Sequence, residues 1–230
     1  MHHLLIETWA QRQGWLHGRD ARAKVIVVLC LLVAVATTPV TAVAAMLGYA
    51  ILLAACLLTS GLPALAVLAR ACLVLAFSLS FALLSWIAGD PVRAVSLVVK
   101  SYLSGLAVLL LTATTPLPAQ LLAIQRLGAP RPIALTIQFL YRYLFLLVEQ
   151  AQAMRVAALC RGGATRSAGA GILASLFQRS YERANGIQQA MLARGFNGAW
   201  PVLYIQEFRP ADSFFLIAGL ILIASLWLVR

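Results

Sequence analysis

The chain has 230 residues, of which 62% are hydrophobic and only 11% are charged. No soluble domain of that length buries enough surface to hide so much apolar side chain, so the composition indicates a membrane protein. The net charge is +11, with 18 Lys and Arg against 7 Asp and Glu; in a membrane protein such an excess marks cytoplasmic surfaces, and a bilayer-bound chain with few lysines makes a poor nucleic-acid module.

The opening MHHLLIETWAQRQG has no basic stretch followed by an apolar core, and so reads as neither a cleavable signal peptide nor a span. The first apolar run covers Lys24–Thr38 and stops at Pro39. A second, Thr41–Leu58, follows after almost no loop, which makes the two an antiparallel hairpin. TSGLPAL forms a turn, and a third run covers Ala64–Ala88 with Arg70 near its start. A fourth runs from Val92 to Thr115, where Pro116 and Pro118 stop it, and the last is Phe214–Val229, with Trp227 and Arg230 as interface anchors. Several of these runs approach the about 20 residues needed to cross a bilayer. The four cysteines, Cys30, Cys56, Cys72 and Cys160, have no CxxC spacing and read as small hydrophobes in a reducing compartment.

Residues 116–210 break this pattern. They hold ten arginines and only three acids, Glu149, Glu182 and Glu207. Within them, 132–150 looks apolar enough to span, but Arg142 sits in its middle, where a charge costs about 2.5–3.5 kcal/mol on insertion scales. If this segment crossed, Arg155 to Arg194 would lie opposite the basic N-terminal residues and break the positive-inside bias. The expected fold is therefore an all-α integral membrane protein with about five transmembrane helices and a cytoplasmic domain of long helices. Its parts are an N-terminal segment (1–23), a four-helix membrane region (24–115), the basic domain (116–210) and a fifth span (211–230). The N-terminus lies inside and the C-terminus outside.

The basic domain reads as three helices: 118–128, then 132–161 ending before Gly162 and Gly163, then, after the loop ATRSAGAG, 172–194 ending before Gly195. The third carries an apolar face through Leu173, Phe177, Ala184, Ile187 and Met191, opposite an Arg-rich one. Both long helices end in a small residue, Arg and Gly: Cys160-Arg161-Gly162 and Ala193-Arg194-Gly195, with the arginines 194 − 161 = 33 residues apart. Glycine is a common helix stop, and Arg in a last turn complements the helix dipole, so either motif alone is ordinary capping. Their repetition suggests more. A small residue permits close approach, and the planar guanidinium suits carboxylates, so the tips read as two plugs for acidic sockets on a partner.

These motifs resemble the signature of the T component of energy-coupling-factor (ECF) ABC importers, which carry Ala-Arg-Gly at the ends of two cytoplasmic coupling helices. The second motif matches fully; the first has Cys160 where alanine is usual. YRYLFLLVEQ (141–150) and RSYERANGIQQAMLARGFNG (179–198) are similar to the cobalt-importer branch, the CbiQ type. WLHGRDARAKV (15–25) resembles the family's approach to its first span, with Ala21 in place of a proline. The resemblance covers essentially the whole chain. It implies a non-catalytic scaffold of the bacterial inner membrane whose Arg161 and Arg194 tips dock into an ABC ATPase dimer of the CbiO type. The scaffold would pass ATP-driven motion to a separate substrate-binding membrane subunit of the CbiM type, with a small CbiN-type helper, in cobalt transport for cobalamin biosynthesis. ATP and Mg would be held by the ATPases, and the chain itself would need no cofactor. The alternative that the resemblance leaves open is a T component for nickel, biotin or other vitamins.

The residues agree with that division of labour. The histidines are His2, His3 and His17, all before the first span, so no transmembrane metal pathway is evident. Asp20, Asp90 and Asp212 read as isolated, which argues against a Mg²⁺-dependent lipid transferase. No span offers a His partner for Ser78, Ser80 or Ser85, against an intramembrane serine protease. The chain has no GxxxxGK[ST] loop. A self-contained transporter would show related halves or a charged midplane site, and neither is seen.

Overall fold

The computed structural model describes residues 16, 18–39, 41–162, 166–196 and 210–228. His2, His3, His17, Glu207, Arg209 and Arg230 lie outside them. The described elements are α1 (Ala21–Thr37), α2 (Val43–Thr59), α3 (Ala64–Ala71), a 3₁₀ turn (Cys72–Val74), α4 (Leu75–Ile87), α5 (Pro91–Thr114), α6 (Leu117–Arg126), α7 (Arg131–Cys160), α8 (Arg166–Ala193) and α9 (Pro210–Leu228). No strand occurs among the described residues. The fold is all-α, as expected.

Local chemistry sets the helix ends. Asp20 caps α1, its Oδ1 accepting the Arg22 N–H at 2.8 Å. At the other end of α1, Lys100 of α5 donates its ammonium to the carbonyls of Ala36 and Thr38 at 3.2 and 2.6 Å. A cation therefore covers carbonyls that the helix leaves without partners. The Trp227 indole of α9 donates to Thr37 Oγ1 at 3.1 Å, tying the last helix to the same turn. Pro91 and Pro118 occupy first-turn positions of α5 and α6, where a missing N–H costs nothing.

The chain divides into two compact units, one of 1–128 and 206–230 and the other of 129–205. The first packs α1, α2, α3, α5 and α9 around a core that includes Leu31, Val35, Tyr49, Leu53, Val67 and Leu106. α6, which its place in the basic stretch grouped with the long helices, packs on α1 in this first unit, where Ala21, Val25 and Ala123 form a small second core. Close helix crossings use glycine: a Cβ on Gly219 of α9 would come within 3.2 Å of Val27, and one on Gly105 of α5 within 2.8 Å of Val74. The second contact lies on a small-residue face of α5, where Ser101 stands one turn before Gly105. That face meets the 3₁₀ turn that interrupts the third apolar run, a break that the sequence reading missed because every residue there is apolar.

The outer surface of this unit is apolar. Leu65 is 86% exposed, Phe77 74% and Ile87 75%. Water would penalise such a surface, whereas lipid matches it. Ala64–Ile87, Pro91–Thr114 and Pro210–Leu228 are each long and apolar enough to cross a bilayer, and Val43–Thr59 is a shorter apolar helix. By length and composition Pro132–Cys160 qualifies too, although Arg142 in its middle is exposed.

The second unit contains α7 and α8, which pack on each other. α8 begins at Arg166, earlier than the expected 172; Gly169 and Gly171 each cost a helix only about 1 kcal/mol and do not stop it. Its half-buried positions are Ile172, Leu176, Ser180, Arg183, Ile187 and Met191, spaced by three and four. Ile187 and Met191 of the expected face belong to this set. Leu173, Phe177 and Ala184 do not: all three are exposed, Leu173 at 68% and Phe177 at 74%, so the apolar residues of α8 are divided between two faces.

Candidate functional site

The two Arg-Gly tips are built alike. At the end of α7, Gly162 has φ +77 and its N–H donates to Leu159 O at 3.0 Å, while the Arg161 N–H donates to Ala158 O at 3.2 Å. At the end of α8, Gly195 has φ +73. Its N–H donates to Leu192 O at 3.0 Å and the Phe196 N–H reaches back to Met191 O at 3.0 Å. That pair of bonds is a Schellman cap. The first tip shows the same inner bond; the residue that would make the outer one, 163, lies outside the described residues. Both glycines take a left-handed conformation that costs a side chain roughly 1–2 kcal/mol. Neither is short of room, since a Cβ on Gly162 or Gly195 would meet nothing within 4 Å.

Each cap ends its helix and leaves its arginine in the open. Cys160, Arg161, Gly162, Ala193, Arg194 and Gly195 are all exposed, and the Cys160 thiol is free. The structure gathers the first three into one tip and the last three into another, and it does not bring the tips together. Arg161 precedes the start of α8 and Arg194 follows its end, so the 28 residues of α8, about 42 Å of helix, run between them. Two cationic points with that helix between them suit two separate sockets rather than one bidentate site.

A family model described as cobalt transport protein, CbiQ, matches residues 12–203, a stretch that includes both tips. The chain belongs to this family. It is 33% identical over 137 residues to the cobalt transport protein CbiQ of Rhodobacter capsulatus, covering 57% of this chain and 54% of that protein. It is 31% identical over 111 residues to an uncharacterized protein of Methanocaldococcus jannaschii, covering 45% and 38% respectively. The chain thus spans about half or less of the length of these curated relatives. Family and fold together make it a multi-pass membrane protein of a transport family.

For a member of a cobalt transport family, a place to ligate metal is the next question. Among the described residues no three His, Cys, Asp or Glu converge. The carboxylates instead build a charge cluster that sequence reading missed. Asp20 and Asp212 are not isolated. The Asp20 N–H donates to Asp212 Oδ1 at 3.3 Å, Arg19 lies 3.9 Å from the same oxygen, and Arg22 lies 4.0 Å from Asp20 Oδ1. The Lys24 ammonium donates to Thr114 O at 3.3 Å and Thr115 Oγ1 at 3.2 Å. Asp20, Lys24 and Asp212 are all buried. Among the described residues three cations stand against two carboxylates, and the cluster ties α1, α5 and α9 together at one end of the bundle.

Proposed function

We propose that the chain is the membrane scaffold, the T component, of an energy-coupling-factor importer for cobalt ions. The observation that carries this reading is the pair of exposed arginine tips, one at the end of each long helix and each followed by a glycine of positive φ. An ATPase dimer offers two equivalent sockets. One rigid helix pair that places an Arg in each converts a change in socket spacing into movement of the scaffold. The planar guanidinium binds socket carboxylates, and the residues beside it are small enough not to obstruct. ATP and Mg belong to the ATPases in this reading, and cobalt is cargo bound by a separate membrane subunit of the CbiM type, with a CbiN-type helper.

In the proposed topology α1, α2, α3 with α4, α5 and α9 span the inner membrane, with the N-terminus inside and the C-terminus outside. α7 and α8 stay on the cytoplasmic side. The exposure of Arg142 supports this placement, since a spanning α7 would put that charge into lipid. Exposed Leu140, Leu144 and Val148 of α7 and Leu173 and Phe177 of α8 supply apolar surface for the substrate subunit.

The test is a pull-down from mild detergent with a tagged ABC ATPase of the same operon, comparing wild type with the Arg161→Glu, Arg194→Glu double variant. Capture of wild type and loss of the variant is expected, together with loss of cobalt uptake. Equal capture of both would make the tips ordinary helix caps and overturn the reading.

A further inference from the structure

A cavity of about 220 Å³ lies within the first unit, between α1, α2, α5 and α9. Its walls include Leu31, Cys56, Leu110, Ala218 and Leu222, and Lys24 stands at one end. Lys24 and Leu31 are seven residues apart on α1, so the cavity runs about 10 Å along the helix. Ala218 and Leu222 are exposed on the outer face of α9, so the cavity opens onto the medium around the bundle. That medium is hydrocarbon.

Two properties define the occupant. The lining is almost wholly apolar, and apolar cavities of even ~150 Å³ stay dry and take hydrocarbon. An unfilled void forfeits dispersion contacts on every wall, so a chain from the bilayer that can reach it gains by entering. At the Lys24 end, Arg19, Arg22 and Lys24 outnumber Asp20 and Asp212 by one charge, and the first turns of α1 and α9 lie at the same end, adding positive dipole. That end suits an anion.

We infer that the cavity takes the headgroup-proximal part of one acyl chain of an anionic glycerophospholipid, whose phosphate sits at the Lys24 end. This site involves neither ATPase nor cobalt, so it stands or falls separately from the proposed function.

The full chain in mild detergent is incubated with equal amounts of phosphatidylglycerol and phosphatidylcholine and examined by native mass spectrometry. One retained phosphatidylglycerol per chain is expected, in excess over phosphatidylcholine. Ala218→Phe on the exposed rim and Cys56→Leu on the wall formed by α2 each fill the cavity. Both are expected to lose the lipid while melting like wild type. Equal retention of the two lipids, retention untouched by both fillings, or a wild type that carries only detergent overturns the inference.

Discussion

The backbone N–H of Asp20 donates to the carboxylate of Asp212 at 3.3 Å, across 192 residues. The Asp20 side chain caps α1 while its own N–H is held by the first turn of α9, so one residue pair fixes the starts of the first and last described helices. Arg19 and Lys24 depend on the same carboxylates for neutralisation. Removing Asp212 therefore leaves cations without their counter-charge in a buried place, a loss of roughly 3–5 kcal/mol. Asp212→Ala is expected to lower the melting temperature in detergent clearly, and Asp212→Asn to lower it less, because the amide oxygen can still accept from Asp20. Melting of Asp212→Ala together with wild type would show that the cluster is not a structural tie.

Stability and coupling separate at the α8 tip. Gly195→Ala forces a side chain into φ +73 and is expected to cost roughly 1–2 kcal/mol, read as a lower melting temperature. Arg194→Glu touches an exposed side chain and is expected to change stability by no more than ~0.5 kcal/mol, yet to abolish ATPase capture. If Arg194→Glu destabilised the chain as much as Gly195→Ala, its effect on capture would have to be assigned to unfolding.

At the 3₁₀ turn, the third apolar run bends against Gly105. Gly105→Val puts methyl groups where Val74 already stands and is expected to destabilise by about 1–3 kcal/mol through overpacking. Adding Val74→Ala should recover a good part of the loss, because the two sites share one volume. Additive losses in the double variant would place the strain elsewhere.

What the sequence made legible follows from how local each signal is. Helix ends were readable because Pro39, Pro116, Gly162 and Gly195 act on their own neighbours. The tips were readable because Arg161 and Arg194 each sit beside the glycine that exposes them. The Asp20–Asp212 contact was not readable, since nothing local to either residue points to the other. The inward set on α8 was misread at Leu173 and Phe177 because hydrophobicity marks a core only when water is the alternative and no partner awaits. The early start of α8 was hidden by Gly169 and Gly171, which resemble a loop.

The placement of α7 admits a direct measurement, because the chain carries its own reporter. Cys160 is exposed at the end of α7, one residue before the Arg161 tip. If α7 stays on the cytoplasmic side, a charged, membrane-impermeant maleimide should fail to label Cys160 in intact cells and should label it in inverted vesicles. Cys30, Cys56 and Cys72 are first replaced by serine so that a single thiol reports. Labelling in inverted vesicles shows that the thiol reacts when the reagent reaches it, so silence in intact cells means lack of access. Labelling from outside would mean that α7 crosses the bilayer and carries Arg142 through it. Both arginine tips would then lie on the face away from ATP, and the proposed coupling to cytoplasmic ATPases would fail with them.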